Sequence, residues 1–285
     1  MNISEQKKSD VLLFITASGW ALSTIIIKMF VESIPVFHIM FGRYLVALVV
    51  IVLFKKNDIK KIKKEELKPG VILGVFTFLA FTLAIMSLYY TSASKSGFLV
   101  AMSVLFVPIA TTLLNKRLPN RWVIFSVFLS LIGLYFISGM NGGAFNFGDL
   151  LALLCAVSYT VYILIMDKHA KHIDESILVF IQFCVVTVLS FIGMIVFEGI
   201  DISAFKIGLL PLIAIGIVGT AATNFAQTKA QKHASPESVG LILLGEPLFT
   251  LIMAAFILKE SILIGGLFGA GLILVALVIT VIKDI

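Results

Sequence analysis

Ten runs of about 20 apolar residues follow one another through almost the whole of this 285-residue chain. They cover roughly 10–30, 35–54, 69–90, 96–115, 121–139, 147–167, 175–197, 207–228, 235–258 and 262–282. A bilayer core about 30 Å thick is crossed by a helix of this length. Inside hydrocarbon every backbone N–H and C=O needs a partner within the protein, so only helices and closed barrels can span. Barrel strands alternate polar and apolar residues over about ten positions, and Val46–Phe54 and Leu267–Val281 do not alternate. The expected fold is therefore all-α and polytopic, with ten transmembrane helices. Composition agrees: 13% of residues are charged, about half the share that a soluble chain needs to coat its surface. Cys155 and Cys184 both lie inside apolar runs and read as small buried side chains rather than as a bridge.

The basic residues predict the orientation. With the N-terminus inside, 17 of the 22 lysines and arginines fall in cytoplasmic segments. They are Lys7, Lys8, the seven lysines from Lys55 to Lys68, Lys116, Arg117, Arg121, Lys168, Lys171, Lys229, Lys232 and Lys283. The other side keeps Lys95, Lys206 and Lys259, while Lys28 and Arg43 fall within spans. Short cytoplasmic loops carry such an excess, so both termini are expected in the cytoplasm. The net charge of +6 is then a topology device that also meets anionic headgroups, and a nucleic-acid partner is excluded. Lys7-Lys8 followed by an apolar stretch imitates a signal peptide, but the run continues to Ile27 and is read as an uncleaved first span.

Shifting the chain by 139 positions lays Ala17 on Ala156, Trp20 on Tyr159, Phe41 on Phe180, Arg43 on Gln182 and Pro108 on Pro247. One constant offset thus preserves an aromatic, a polar residue within a span and a proline. Two such units nearly exhaust the chain, each holding five spans. Five is odd, so the second unit enters the membrane upside down. The expected organisation is a cytoplasmic N-terminus (1–9), a first five-helix repeat (10–139), an external linker (140–146), a second repeat (147–282) and a cytoplasmic C-terminus (283–285). Inverted repeats of this kind characterise secondary transporters, with the site near the midplane between the halves.

Several short motifs add to this pattern. Thr91-Ser92-Ala93-Ser94-Lys95-Ser96-Gly97-Phe98-Leu99 precedes Phe106-Val107-Pro108, and the second half carries Ala234-Ser235-Pro236 and Gly245-Glu246-Pro247-Leu248. Gly19-Trp20 and Lys28 mark the first span. With ten spans and a basic second-to-third loop, the chain resembles the EamA branch of the drug/metabolite transporter superfamily over residues 10–282. The resemblance implies a polytopic carrier in the cell membrane, often an exporter of amino acids, metabolites or toxic compounds.

Ionisable groups inside spans are costly and mark candidate sites. Glu246 lies at the centre of the ninth span between Gly245 and Pro247. It reads as a ligand for a substrate amine or a proton carrier, with a structural carboxyl as the plain alternative. Pro108 and Pro247 are expected to break their helices. Arg43 lies about 12 Å into the second span and is expected to face the bundle, pairing with a carboxyl or a substrate anion. Its repeat mate Gln182 is neutral. Trp20, Tyr159 and Tyr162 lie mid-span, as aromatic walls for a substrate or as packing. Asn224 and Gln227 share a face of the eighth span, as cavity lining or as glue between helices. His38 is a second candidate for proton coupling, and Lys95 reads as a snorkelling helix-end lysine. Gly265, Gly266, Gly269, Ala270 and Gly271 form a small-residue face of the tenth span, for packing within the chain or for a homodimer.

No zinc-binding His-Glu-x-x-His and no phosphate-cradling glycine loop occurs in the sequence, and His169 and His172 lack a third ligand. No metal and no cofactor are expected. The ring of like charges or carbonyls that a channel presents is not visible either. The resulting expectation is a secondary transporter, in the export direction, for a small organic metabolite. An amino acid held between Arg43 and Glu246 comes first. An aromatic-lined site for an organic cation or a nucleobase-type metabolite is the alternative, and an intramembrane enzyme or a channel is a remote one. Its partners are then a small-molecule substrate, the lipid bilayer and candidate coupling protons, with a monomer or homodimer as the unit.

Overall fold

The structure is a computed structural model that describes residues 3–30, 33–91, 93–138, 145–257, 259 and 264–283. Ser92 and the greater part of the expected 140–146 linker fall outside the described residues. Among the described residues ten helices are long and apolar enough to cross a membrane. Spans 1 to 5 are Glu5–Phe30, Val36–Ile59, Lys64–Ser87, Lys95–Asn115 and Arg121–Ser138. Spans 6 to 10 are Phe147–Ala170, Glu175–Glu198, Ile202–Ala230, Pro236–Ile257 and Ile264–Ile282.

Several helices run past their apolar runs because polar residues cap and extend them. Span 1 already includes Glu5, which accepts from Lys8 one turn on. The backbone N–H of Lys63 donates to Glu66 and starts span 3 at Lys64. The basic second-to-third connection therefore shrinks to residues 60–63. Asn146 and Asp149 form a reciprocal cap that starts span 6. Asp174, Asp201 and Ser235 accept from backbone N–H groups at the starts of spans 7, 8 and 9. Large apolar side chains such as Leu210, Phe256 and Phe128 stand exposed, which suits a surface solvated by lipid tails.

Two spans are broken near their middles. Span 4 is Ala93–Val100 followed by Ser103–Asn115, and span 9 is Pro236–Ile242 followed by Gly245–Ile257. The first break, at Ala101–Met102, lies well ahead of Pro108, whereas the second, at Leu243–Leu244, lies three to four residues before Pro247, where a proline interrupts the ladder. Pro108 lies inside its helix, where it is followed by Thr111 and Thr112, both of which donate to its carbonyl. Pro247 stands in the first turn of its half-helix, where a missing N–H costs little. The Leu243 carbonyl, four residues before Pro247, accepts instead from the Glu246 N–H at 2.9 Å. Two π-helical segments also occur, Met194–Glu198 at the end of span 7 and Ile217–Ala222 within span 8.

The neighbours follow one rule. Span 3 packs on span 6 as span 8 packs on span 1; span 3 meets span 7 as span 8 meets span 2; span 4 meets span 6 as span 9 meets span 1. Spans 2 and 7 pair with each other, and so do spans 5 and 10. In the last pair Gly133 and Gly269 face one another: a Cβ on Gly269 would stand 2.4 Å from the Gly133 carbonyl oxygen, and one on Gly133 would stand 2.7 Å from that of Gly269. The small-residue face of span 10 is therefore spent within the chain. Gly271 alone among its glycines with described surroundings has open space beside it.

Candidate functional site

The second half-helix of span 9 begins at Gly245, so Glu246 sits in its first turn near the middle of the span. The N–H groups and dipole of a helix start favour a carboxylate there. Thr24 of span 1 donates to Glu246 Oε1 at 3.3 Å. Arg43, Cys155 and Tyr159, from spans 2 and 6, lie within electrostatic reach of the carboxylate. Glu246 is thus interior, yet it is partly accessible, and Thr24 is exposed although it lies one turn beyond the buried Trp20 on the same helix face. A carboxylate that is surrounded by protein and still partly accessible marks the candidate space for a small molecule.

Aromatic rings wall this space. Trp20 packs edge-on against Phe81 and against Tyr159, both at 5.7 Å between centroids. Tyr159 stacks on Tyr162 at 5.6 Å. Polar groups fix their orientation: the Trp20 indole N–H donates to Thr223 Oγ1 at 3.1 Å, and Gln227 Nε2 donates to the Tyr159 hydroxyl at 2.7 Å. Gln227 also donates to Gln231 Oε1 at 3.2 Å. Asn224 spends its amide locally, donating to the Thr220 carbonyl one turn back at 2.9 Å.

Arg43 is buried at 2% exposure and finds partners other than the expected carboxyl. Its Nε donates to Thr220 Oγ1 and its Nη2 to the Gly219 carbonyl, both at 2.9 Å. Both acceptors belong to the π segment of span 8, where the irregular ladder leaves a carbonyl for a side chain. The guanidinium lies 5.2 Å from the Phe81 ring centroid and 5.6 Å from that of Tyr44. It makes no ion pair with Glu246. Gln182 of span 7 is fully buried, and its Oε1 accepts from Thr77 Oγ1 of span 3 at 3.5 Å, one helical turn before Phe81. His38 lies in the first turn of span 2, five residues before Arg43, and is bonded to Glu198.

The sequence-predicted residues Trp20, Tyr159, Tyr162, Gln227, Arg43 and Glu246 thus come together, with Asn224 beside them; Gln182 touches none of these residues through a hydrogen bond but meets Thr77, one turn from Phe81, and His38 is bonded to Glu198. Thr24, Phe81, Thr220 and Thr223 join the group without having been singled out. Thr24 is four residues from Trp20 on a helix face already implicated, a signal available in the sequence. Phe81 is one of 24 phenylalanines, and nothing in the sequence distinguishes it. Lys95, expected to snorkel, instead donates to Asp149 Oδ2 at 2.6 Å, and Thr91 donates to Oδ1 at 2.8 Å. Asp149 is fully buried and ties the third-to-fourth connection to the start of span 6.

The model of the EamA-like transporter family matches this sequence twice, over residues 7–139 and 146–282. The chain belongs to the EamA-like transporter family. Two proteins of Archaeoglobus fulgidus, each named an uncharacterized transporter, are similar to it. One is 26% identical over 271 residues, which is 95% of this chain and 85% of the relative. The other is 25% identical over 270 residues, 89% of this chain and 90% of the relative. A solved crystal structure covering 98% of this chain and 97% of its own superposes with a TM-score of 0.79 at 16% identity, which shows the shared fold. This EamA-family protein is thus a multi-pass membrane transporter.

Proposed function

We propose that this EamA-family chain is a secondary transporter of the cell membrane that moves small organic amines by alternating access, with Glu246 as the ligand for the ammonium group. One observation carries this reading: the midplane carboxylate is partly accessible and within electrostatic reach of Tyr159, against which Trp20 packs, while Arg43 is already bonded to span 8. An ammonium beside aromatic faces gains both ion pairing and cation–π attraction. A carboxylate that holds either a proton or an ammonium exchanges one for the other, which would couple export to proton entry. An amino acid fits the same Glu246 through its amine, but Arg43 would have to leave Thr220 and Gly219 to take the carboxylate. Amines and organic cations therefore come before zwitterions.

The pairwise exchange of neighbours between spans 1–5 and 6–10, and the matching breaks in spans 4 and 9, support an inverted five-plus-five repeat. Each repeat contributes to the one site, so the monomer is the transporting unit. The basic excess supports cytoplasmic termini. In a background without Cys155 and Cys184, an impermeant maleimide added to intact cells should label Lys206→Cys and leave Lys61→Cys unlabelled; the opposite pattern reverses the topology and the direction argued from it.

The substrate class is tested by thermal stabilisation of the purified protein across amines, amino acids, nucleobases and sugars, since a ligand at 100 times its Kd stabilises by about 2.7 kcal/mol. Aromatic amines should raise Tm, and Arg43→Met should keep that shift while lowering the ligand-free stability by about 1.5–3 kcal/mol, the worth of a hydrogen bond from a charged donor. Shifts from amino acids alone, lost in Arg43→Met, would overturn the amine reading in favour of a zwitterion.

A further inference from the structure

Away from the midplane, at the end of the bundle opposite the chain termini, three spans are joined through one imidazole. His38 stands in the first turn of span 2 and is fully buried. Its Nδ1 is 2.9 Å from Glu198 Oε2, and its Nε2 accepts from the backbone N–H of Asp201 at 3.0 Å. Glu198 closes the π segment of span 7, and its carboxylate also accepts from the backbone N–H of Phe37 at 3.0 and 3.1 Å and from that of His38 at 3.3 Å. Asp201 is the cap of span 8. The start of span 2, the end of span 7 and the start of span 8 therefore meet at one ring. They border a cavity of about 690 Å³ lined in part by Pro35, Tyr89, Tyr90, Glu198 and Asp201.

The two contacts determine the tautomer. A backbone N–H can only donate, so Nε2 must offer its lone pair. The ring proton is then on Nδ1, directed at the Glu198 carboxylate, and the imidazole is neutral. We propose that His38 is a proton-binding site that locks this mouth when neutral and releases it when protonated. A proton taken up on Nε2 occupies the lone pair that the Asp201 N–H uses. That bond breaks, while the Nδ1–H bond to Glu198 is kept and strengthened by the new charge. The start of span 8 is then freed from span 2, while span 7 stays attached.

The charged groups facing the ring are Glu198 from span 7 and the Asp201 carboxylate from the connection ahead of span 8. Backbone hydrogen bonding from Ser203 holds the Asp201 carboxyl below the usual carboxylate range, so it is an anion wherever a histidine titrates. Phe205 of span 8 covers the ring at 5.1 Å between centroids. Tyr89, after span 3, lies beside Glu198, and burial followed by that carboxylate pushes its hydroxyl up, so it stays neutral. This lock does not rest on Glu246 or on the identity of the substrate.

Nitrogen NMR of the full-length protein in detergent, with ¹⁵N-labelled histidine and His38→Gln to assign the signal, reads the tautomer directly. The expected result is a proton on Nδ1 at high pH and titration to the imidazolium as pH falls. In parallel, hydrogen exchange at the Asp201 amide, corrected for the intrinsic pH dependence, should lose about fivefold of its protection across that titration, the worth of one hydrogen bond. His38→Gln keeps an oxygen acceptor that does not titrate, so its Asp201 protection should stay flat with pH. An Nε2–H tautomer, unchanged protection through the titration, or the same pH dependence in His38→Gln would each overturn the proposal. Should the variant fail to fold, the wild-type tautomer and protection profile still decide.

Discussion

Glu246→Gln should remove most of the response to amines: at 100 times the wild-type Kd, the stabilisation of about 2.7 kcal/mol should fall below about 1 kcal/mol. Removing one partner of a desolvated ion pair costs about 2–5 kcal/mol, or roughly 30- to 1,000-fold in affinity. Glutamine retains the size of the side chain and can still accept from Thr24, which donates to Oε1 at 3.3 Å. The fold should therefore survive, and the ligand-free Tm should move little or rise, because an ionisable group in the membrane interior is itself costly. Wild-type affinity for amines in Glu246→Gln would assign the carboxyl to packing and leave the aromatic walls without their charge partner.

The second large effect is structural and lies far from that site. Gly269→Val should destabilise by on the order of 3 kcal/mol, at the upper end for an overpacked core. Any Cβ there stands 2.4 Å from the Gly133 oxygen and 2.9 Å from the Ile137 nitrogen, both backbone atoms that cannot rotate away. Gly271→Val, two residues on in the same helix, faces open space and should leave Tm unchanged. Equal losses for the two variants would mean that helix propensity, not the approach of spans 5 and 10, sets the cost.

The ten spans were legible because hydrocarbon demands long apolar helices and little else. The 139-residue offset placed Trp20 against Tyr159, and the two rings do touch. Arg43 was legible as a residue that must face the bundle; its partners were not. They are a threonine hydroxyl and a carbonyl exposed by a π segment, and no residue type announces a shift from α to π hydrogen bonding. The same cause hid Glu198: its reach to the start of span 2 follows from the π segment Met194–Glu198. Of the two prolines only Pro108 misled, since span 4 breaks well ahead of it, while span 9 breaks one turn before Pro247. Lys95 looked like a helix-end lysine until its partner Asp149, far along the chain, came within 2.6 Å of it.

Counterflow in proteoliposomes tests the central claim most directly. Vesicles preloaded with the amine that gives the largest thermal shift, and containing either this protein or its Glu246→Gln variant, are diluted into a trace of the same labelled amine. Alternating access through a Glu246 site predicts transient, saturable accumulation of label above its equilibrium level with the wild-type protein and none with the variant. Label that only equilibrates with the wild-type protein, or accumulates equally with Glu246→Gln, would contradict it.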